Sequence, residues 1–258
     1  AAGGEVTTGV QNTLIGGLAG DALTDADYNV ALGYFALSGD TLGSASTAIG
    51  RGALGAQNFT TATDTYNVAV GYDAGNDVST GVQNTLIGAL AGDALTDADR
   101  NVAIGTSALG ADTLGSRSTA VGQGTLQVQN FTTAANSYNT AVGFNAGNLV
   151  TTGIQNTLIG GIAGNALTDA DFNTAVGYTA LGADTLGSRS TALGYAALST
   201  QNFTTATNTY NTAVGYSAGN AVSTGINNTF VGGLAGDHTD DGTGNTAVGY
   251  GALSANCG

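Results

Sequence analysis

A five-residue motif, Asn/Ser, Thr/Val, any residue, Ile/Val/Leu, Gly, occurs fourteen times in this chain. The copies begin at Asn12, Asn29, Ser46, Asn67, Asn84, Asn101, Ser118, Asn139, Asn156, Asn173, Ser190, Asn211, Asn228 and Asn245. Successive steps are 17, 17, 21 and 17 residues, so four copies close a super-period of 72. A short period held this strictly means stacked rungs, each burying its apolar side on its neighbours. The chain therefore reads as a single repeat array over residues 1–258, with super-repeats 12–83, 84–155, 156–227 and a partial 228–258. Residues 1–11 are in phase with 73–83, which leads us to expect a segment of a longer array.

Each motif starts with alternating, β-branched residues and so predicts a short strand. A helix is disfavoured by the recurring Gly, each costing about 1 kcal/mol relative to Ala. The class predicted is all-β, a parallel β-solenoid of about fourteen rungs. Strand side chains alternate sides, so the second and fourth positions share one face. Because the fourth is always Ile, Val or Leu, that face is expected to line the coil. The third position would then point outward. It is Ala31, Ala48, Ala69, Ala103, Ala120, Ala141, Ala175, Ala192, Ala213 and Ala247, with Leu14, Leu86, Leu158 and Phe230 in the remaining copies. An outward apolar column of this length should not face water. The ten Ala are accordingly expected at a contact between sister chains. The invariant fifth-position Gly implies a positive φ or a backbone approach too close for a Cβ. Three residues beyond it stands Ala in all rungs but that of Thr125, followed by Gly or Leu in strict order, which suggests large and small residues interlocking along the stack. The motif Asn is expected to form a side-chain ladder along the axis.

Composition narrows the function. The chain carries 43 Gly and no Pro, Met or Trp, and its four cationic residues are all Arg against 18 Asp and Glu. A net charge of −14 repels nucleic acid phosphates and anionic membranes, so neither is expected as a partner. No apolar run is long enough to span a bilayer. The single cysteine, Cys257, has no internal disulfide partner. With one histidine, His238, and no lysine, acid–base and nucleophilic schemes lack a second group, and the chain is not read as an enzyme.

The stretch Asn-Thr-Ala-Val-Gly-Tyr at 211–216, with Asn-Val-Ala-Ile-Gly at 101–105 and Ser-Thr-Ala-Ile-Gly at 46–50, resembles the head repeats of trimeric autotransporter adhesins of the YadA type. It is also similar to arrays in bacteriophage fibres. The resemblance covers residues 12–258 and implies a left-handed β-roll, three chains side by side, and adhesion or display. Rungs of 17 or 21 residues are longer than is usual in the adhesin heads, and no stalk, anchor or chaperone domain is seen in the sequence.

Three features carry candidate chemistry. Asp21, Asp25 and Asp27, repeated as Asp93, Asp97 and Asp99 and as Asn165, Asp169 and Asp171, place several carboxylates on one turn, a donor set suited to calcium. Their spacing matches neither an EF-hand nor a calcium-binding nonapeptide, so a solvated turn is the competing reading and no other cofactor is implied. The 21-residue rungs gain four residues within 57–66 and its copies, expected as an outward loop. Each carries a glycosylation sequon, at Asn58, Asn130 and Asn202, with a fourth at Asn227, and the aromatic, Thr-rich bulge is an alternative contact for a receptor sugar. Arg117 and Arg189 lie five residues after Asp112 and Asp184 and suggest exposed ion pairs. The function expected is a structural extracellular fibre segment, a rigid spacer and display surface on a cell or virion. It would act as a homotrimer and contact a host-surface glycan or protein receptor. A self-assembling extracellular filament is the alternative, and an ice-binding solenoid is a distant third.

Overall fold

The computed structural model describes residues 1–254, so Cys257 lies outside the described residues. Among those residues there is no helix, and the chain forms a parallel β-solenoid of about fourteen turns, one per motif. Among the described residues no helix is long and apolar enough to cross a membrane. Two compact units divide the chain, residues 1–124 with 129–136, and residues 125–128 with 137 onward.

In the first unit the strands Thr13–Ile15, Val30–Leu32, Thr47–Ile49, Val68–Val70, Thr85–Ile87, Val102–Ile104 and Thr119–Val121 pair in sequence order. All pairs are parallel and in register, with Ala31 opposite Leu14 and Ala48, and Ala103 opposite Leu86 and Ala120. In the second unit, Thr140–Val142 through Thr246–Val248 repeat the arrangement, Ala175 lying opposite Leu158 and Ala192. The 21-residue rungs add short ladders, Gly43–Ser44 with Thr63–Asp64, Gly115–Ser116 with Ala135–Asn136, and Gly187–Ser188 with Thr207–Asn208.

The strand faces are the reverse of the sequence-based expectation. The third position is inside: Ala31, Ala48, Ala69, Ala103, Ala120, Ala141, Ala175, Ala192 and Ala213 are 0 % exposed within one chain, and Ala247 3 %. These ten Ala are therefore coil interior, where no sister chain could touch them. The second and fourth positions point outward, half-buried or exposed; Ile15, Leu32, Ile87, Ile159, Val231 and Val248 are among the exposed apolar side chains. The physical reason is volume. A coil of 17 residues leaves little width opposite its strand, so the smallest side chain faces in and the β-branched ones face out.

The interlocking of large and small residues resolves this in detail. Where the third position is large, the ninth position of the rung is Gly. A Cβ on Gly92 would lie 2.7 Å from Leu86 and one on Gly75 2.5 Å from it. Where the third position is Ala, the second and third rungs of each super-repeat instead bring Leu37, Leu54, Leu109, Leu181 or Leu198 into the interior, all 0 % exposed. The fifth-position Gly is required twice over. Gly105 has φ 130°, and a Cβ there would sit 2.6 Å from the carbonyl oxygen of Gly122 in the next rung.

Three further residues of each rung also have positive φ. Around Asn101 they are Arg100 (58°), Ser107 (54°) and Leu109 (55°). Such conformations cost about 1 kcal/mol or more for a residue with a Cβ. Stacking hydrogen bonds oppose that cost, for the N–H groups of Arg100, Gly105 and Ser107 donate to Val82, Ile87 and Ala89 of the preceding rung at 3.0, 2.7 and 3.0 Å.

Candidate functional site

The motif Asn is a strut rather than a rung of a side-chain ladder. Its Nδ2 crosses the coil to the carbonyl that closes its own rung, Asn29 to Gly43 at 2.9 Å and Asn84 to Ala98 at 2.8 Å. Its Oδ1 accepts the backbone N–H of the next motif residue, as from Ser46 to Asn29 at 2.8 Å and from Asn101 to Asn84 at 2.9 Å. Direct Asn to Asn side-chain bonds are confined to long contacts such as Asn84 to Asn67 at 3.4 Å. These Asn are buried, so each bond replaces water that the amide has lost.

In the 21-residue rungs Ser is too short to reach across, and the inserted segment supplies what is missing. The Gln57 Nε2 donates to Ser46 Oγ at 2.9 Å and to Asp40 Oδ2 at 2.5 Å, while its Oε1 accepts from Asn67 Nδ2 at 2.8 Å. The Asp40 Oδ1 also accepts the N–H groups of Gly43 and Phe59, both at 3.0 Å. Asp40, Ser46, Gln57, Thr65 and Asn67 are all 0 % exposed. The same network recurs at Asp184, Gln201, Ser190 and Asn211, and the Asp112–Gln129–Ser118 link repeats it between them. Within the insertion Asn58, Thr60 to Ala62, Asp64 and Tyr66 are exposed, but Gln57, Phe59 and Thr65 are interior, which corrects the expectation of a purely outward loop. The polar network was not among the features read from the sequence. The available signal was that Asp40, Asp112 and Asp184, and Gln57, Gln129 and Gln201, recur without change at a spacing of 72.

The burial of Asp112 and Asp184 also removes them as partners for Arg117 and Arg189. Instead the Arg117 Nε donates to Asn136 at 2.9 Å and the Arg189 Nε to Asn208 at 3.0 Å. The Arg189 guanidinium lies 4.6 Å from the Phe172 ring centre and 5.9 Å from that of Tyr210.

The carboxylates of the acidic turns act as clasps to the preceding rung. Asp25 accepts from the Thr8 hydroxyl, and Asp97 from that of Thr80 at 2.5 Å. Asp27 and Asp99 accept the N–H groups of Val10 and Val82 at 2.7 and 2.9 Å. Asp21 and Asp93 are half-buried, and among the described residues no three acidic, His or Cys groups come together in a set that could hold a metal ion. Burial raises the Asp93 carboxyl above its ordinary value of 3.8; its own backbone hydrogen bond opposes the shift, and the charges of Asp77 and Asp73 add to it. The sequon residues Asn58, Asn130, Asn202 and Asn227 are all exposed. The first three accept Thr hydroxyls of the preceding rung, Asn58 from Thr41 at 3.2 Å.

The outward strand face is flanked by two exposed columns, one at the residue before the motif and one at the residue after its Gly. All ten tyrosines of the chain belong to these columns: Tyr28, Tyr66, Tyr138 and Tyr210 to the first, and Tyr34, Tyr72, Tyr178, Tyr195, Tyr216 and Tyr250 to the second. Each is at least half exposed. Tyr195 stacks between Tyr178 and Tyr216, with ring centres 5.7 and 5.3 Å away. All four Arg share the columns, Arg100, Arg117 and Arg189 in the first and Arg51 in the second. None of the 18 Asp and Glu stands in either column or at the second or fourth strand position. No protein-family model, curated protein or solved structure matches this chain.

Proposed function

We propose that the chain is a structural segment of an extracellular fibre of the bacterial-adhesin or phage-fibre kind, a stiff spacer whose copies associate side by side through the outward strand face, three to a fibre. One observation carries this reading. The outward strand positions and their flanking columns gather the Ile, Val and Leu of the fourth position, every Tyr and every Arg, while every acid lies elsewhere. Aromatic residues and Arg are enriched in interfaces, and acids are depleted at their centres. The charge argument points to a second copy as the occupant. Chains of net charge −14 repel one another, and the face whose own positions carry no acid is where they can approach most closely. The remaining surface, with its Thr-rich bulges and acidic turns, is left for display. Sedimentation of the purified chain tests the proposal: a discrete trimer is expected, and a monomer at micromolar concentration would remove it. Long continuous filaments in electron micrographs would favour end-to-end self-assembly instead.

A further inference from the structure

A surface depression of about 290 Å3 occurs in the first super-repeat, bordered by Phe35, Ser38, Arg51, Asp73 and Asn76. We infer that it is a binding site for a neutral sugar residue, with Arg51, Asp73 and Asn76 as its polar contacts and Phe35 as its apolar edge. The Arg51 Nη1 is held by both oxygens of Asp73, at 2.9 and 2.8 Å, and approaches the Tyr72 hydroxyl at 3.2 Å. The guanidinium also lies 5.1 Å from the Tyr72 ring centre. It is thus fixed in place while its Nε and Nη2 donors take part in none of these bonds. The Asn76 Nδ2 is committed to the Gly52 carbonyl at 2.9 Å, which orients its Oδ1 as an acceptor. A cation neutralised by its carboxylate, fixed donors and acceptors, and an exposed aromatic edge suit a ligand with several hydroxyls and an apolar ring face rather than a charged one.

Comparison with the other super-repeats shows that the site is not a by-product of the fold. Phe35 is replaced at the equivalent positions by Ser107 and Thr179, Arg51 by Gln123 and Tyr195, and Asp73 by Asn145 and Ser217. The buried leucines beside them do not change, Leu37 being matched by Leu109 and Leu181 and Leu54 by Leu126 and Leu198. The rungs therefore build the same leucine wall three times and furnish it differently each time, with the ion pair in the first alone.

This inference rests on the fibre reading proposed above, with Arg51 and Tyr72, in the column that flanks the strand face, left accessible at the edge of the association; the two fail separately. The full chain is titrated with the methyl glycosides of glucose, galactose and N-acetylglucosamine, with binding followed by saturation-transfer NMR. Saturable binding of at least one is expected. The triple variant Phe35→Ser, Arg51→Gln, Asp73→Asn carries the side chains that the second super-repeat already tolerates, and it should lose affinity about tenfold or more. Arg51→Gln alone is the milder control should the triple variant misfold, and it should weaken binding in the same direction. No binding of any glycoside, or binding undiminished in the folded variants, overturns the site. Sedimentation of the same samples reports separately on association, so loss of the sugar site leaves the fibre reading standing.

Discussion

The inner and outer columns of the same strands obey different rules. Inside, Ala103 and Ala175 face walls built by Leu109 and Leu181, and there is no room for a larger side chain unless the ninth position is Gly, as it is beside Leu86. Outside, Val, Ile, Leu and Thr alternate without any matching change elsewhere in the rung. Hydrophobicity alone would assign the larger apolar residues to the interior. In a coil this narrow, volume decides, and the more apolar residues are left on the surface.

The sharpest way to break this comparison is to exchange the two columns at one rung. Ala175→Leu should destabilise the chain by about 3 kcal/mol, because Leu181 already fills the space, whereas Thr174→Leu beside it should change stability by less than about 0.5 kcal/mol. Equal effects in thermal or denaturant unfolding would show that the faces are misassigned. Removal of an interior carboxylate should cost nearly as much. Asp184→Ala strips the acceptor from the Gly187 and Phe203 N–H groups and from Gln201, for an expected loss of about 3 kcal/mol. The exposed Asp97→Ala, which loses a clasp to Thr80, should cost about 0.5 kcal/mol.

Val176→Asp places a charge on the outer column. It should leave the unfolding midpoint of the isolated chain nearly unchanged and abolish association measured by sedimentation, the reverse of the pattern expected for the inner column. The smallest effect concerns Asp93. Its folded-state value is raised, so ionising it disfavours the fold. That penalty is present above the raised value and is relieved as pH falls through it toward 3.8. Asp93→Asn should therefore be slightly more stable than the parent at neutral pH, with the difference fading in acid. Midpoints at pH 7 and pH 4 check the sign, and a variant less stable at pH 7 would contradict it.

Much of this architecture is legible in residue order because stacking copies each rung onto the next. The spacing of Asn12, Asn29, Ser46 and Asn67 predicts strand, rung length and register, and the alternation of Gly92 with Leu109 announces the packing. Other features leave little trace. Tyr66, Arg100 and Leu109 have positive φ although nothing in their side chains favours it; the neighbouring rung imposes the conformation through its hydrogen bonds. The Gln57–Asp40 link joins residues 17 apart that read as loop, and the recurrence of both was its only sign. The proposed sugar site was invisible for a different reason, since Phe35, Arg51 and Asp73 are departures from the repeat.

Residue order by itself determined that the chain stacks, with what period, and where glycine is obligatory, because a rung that repeats must satisfy the same backbone contacts each time. Only the tertiary structure decided which side of the strand is inside. Alternation divides a strand into two faces but carries no sign, and the sign was set here by the width of the coil, a quantity that exists only once the chain has closed on itself.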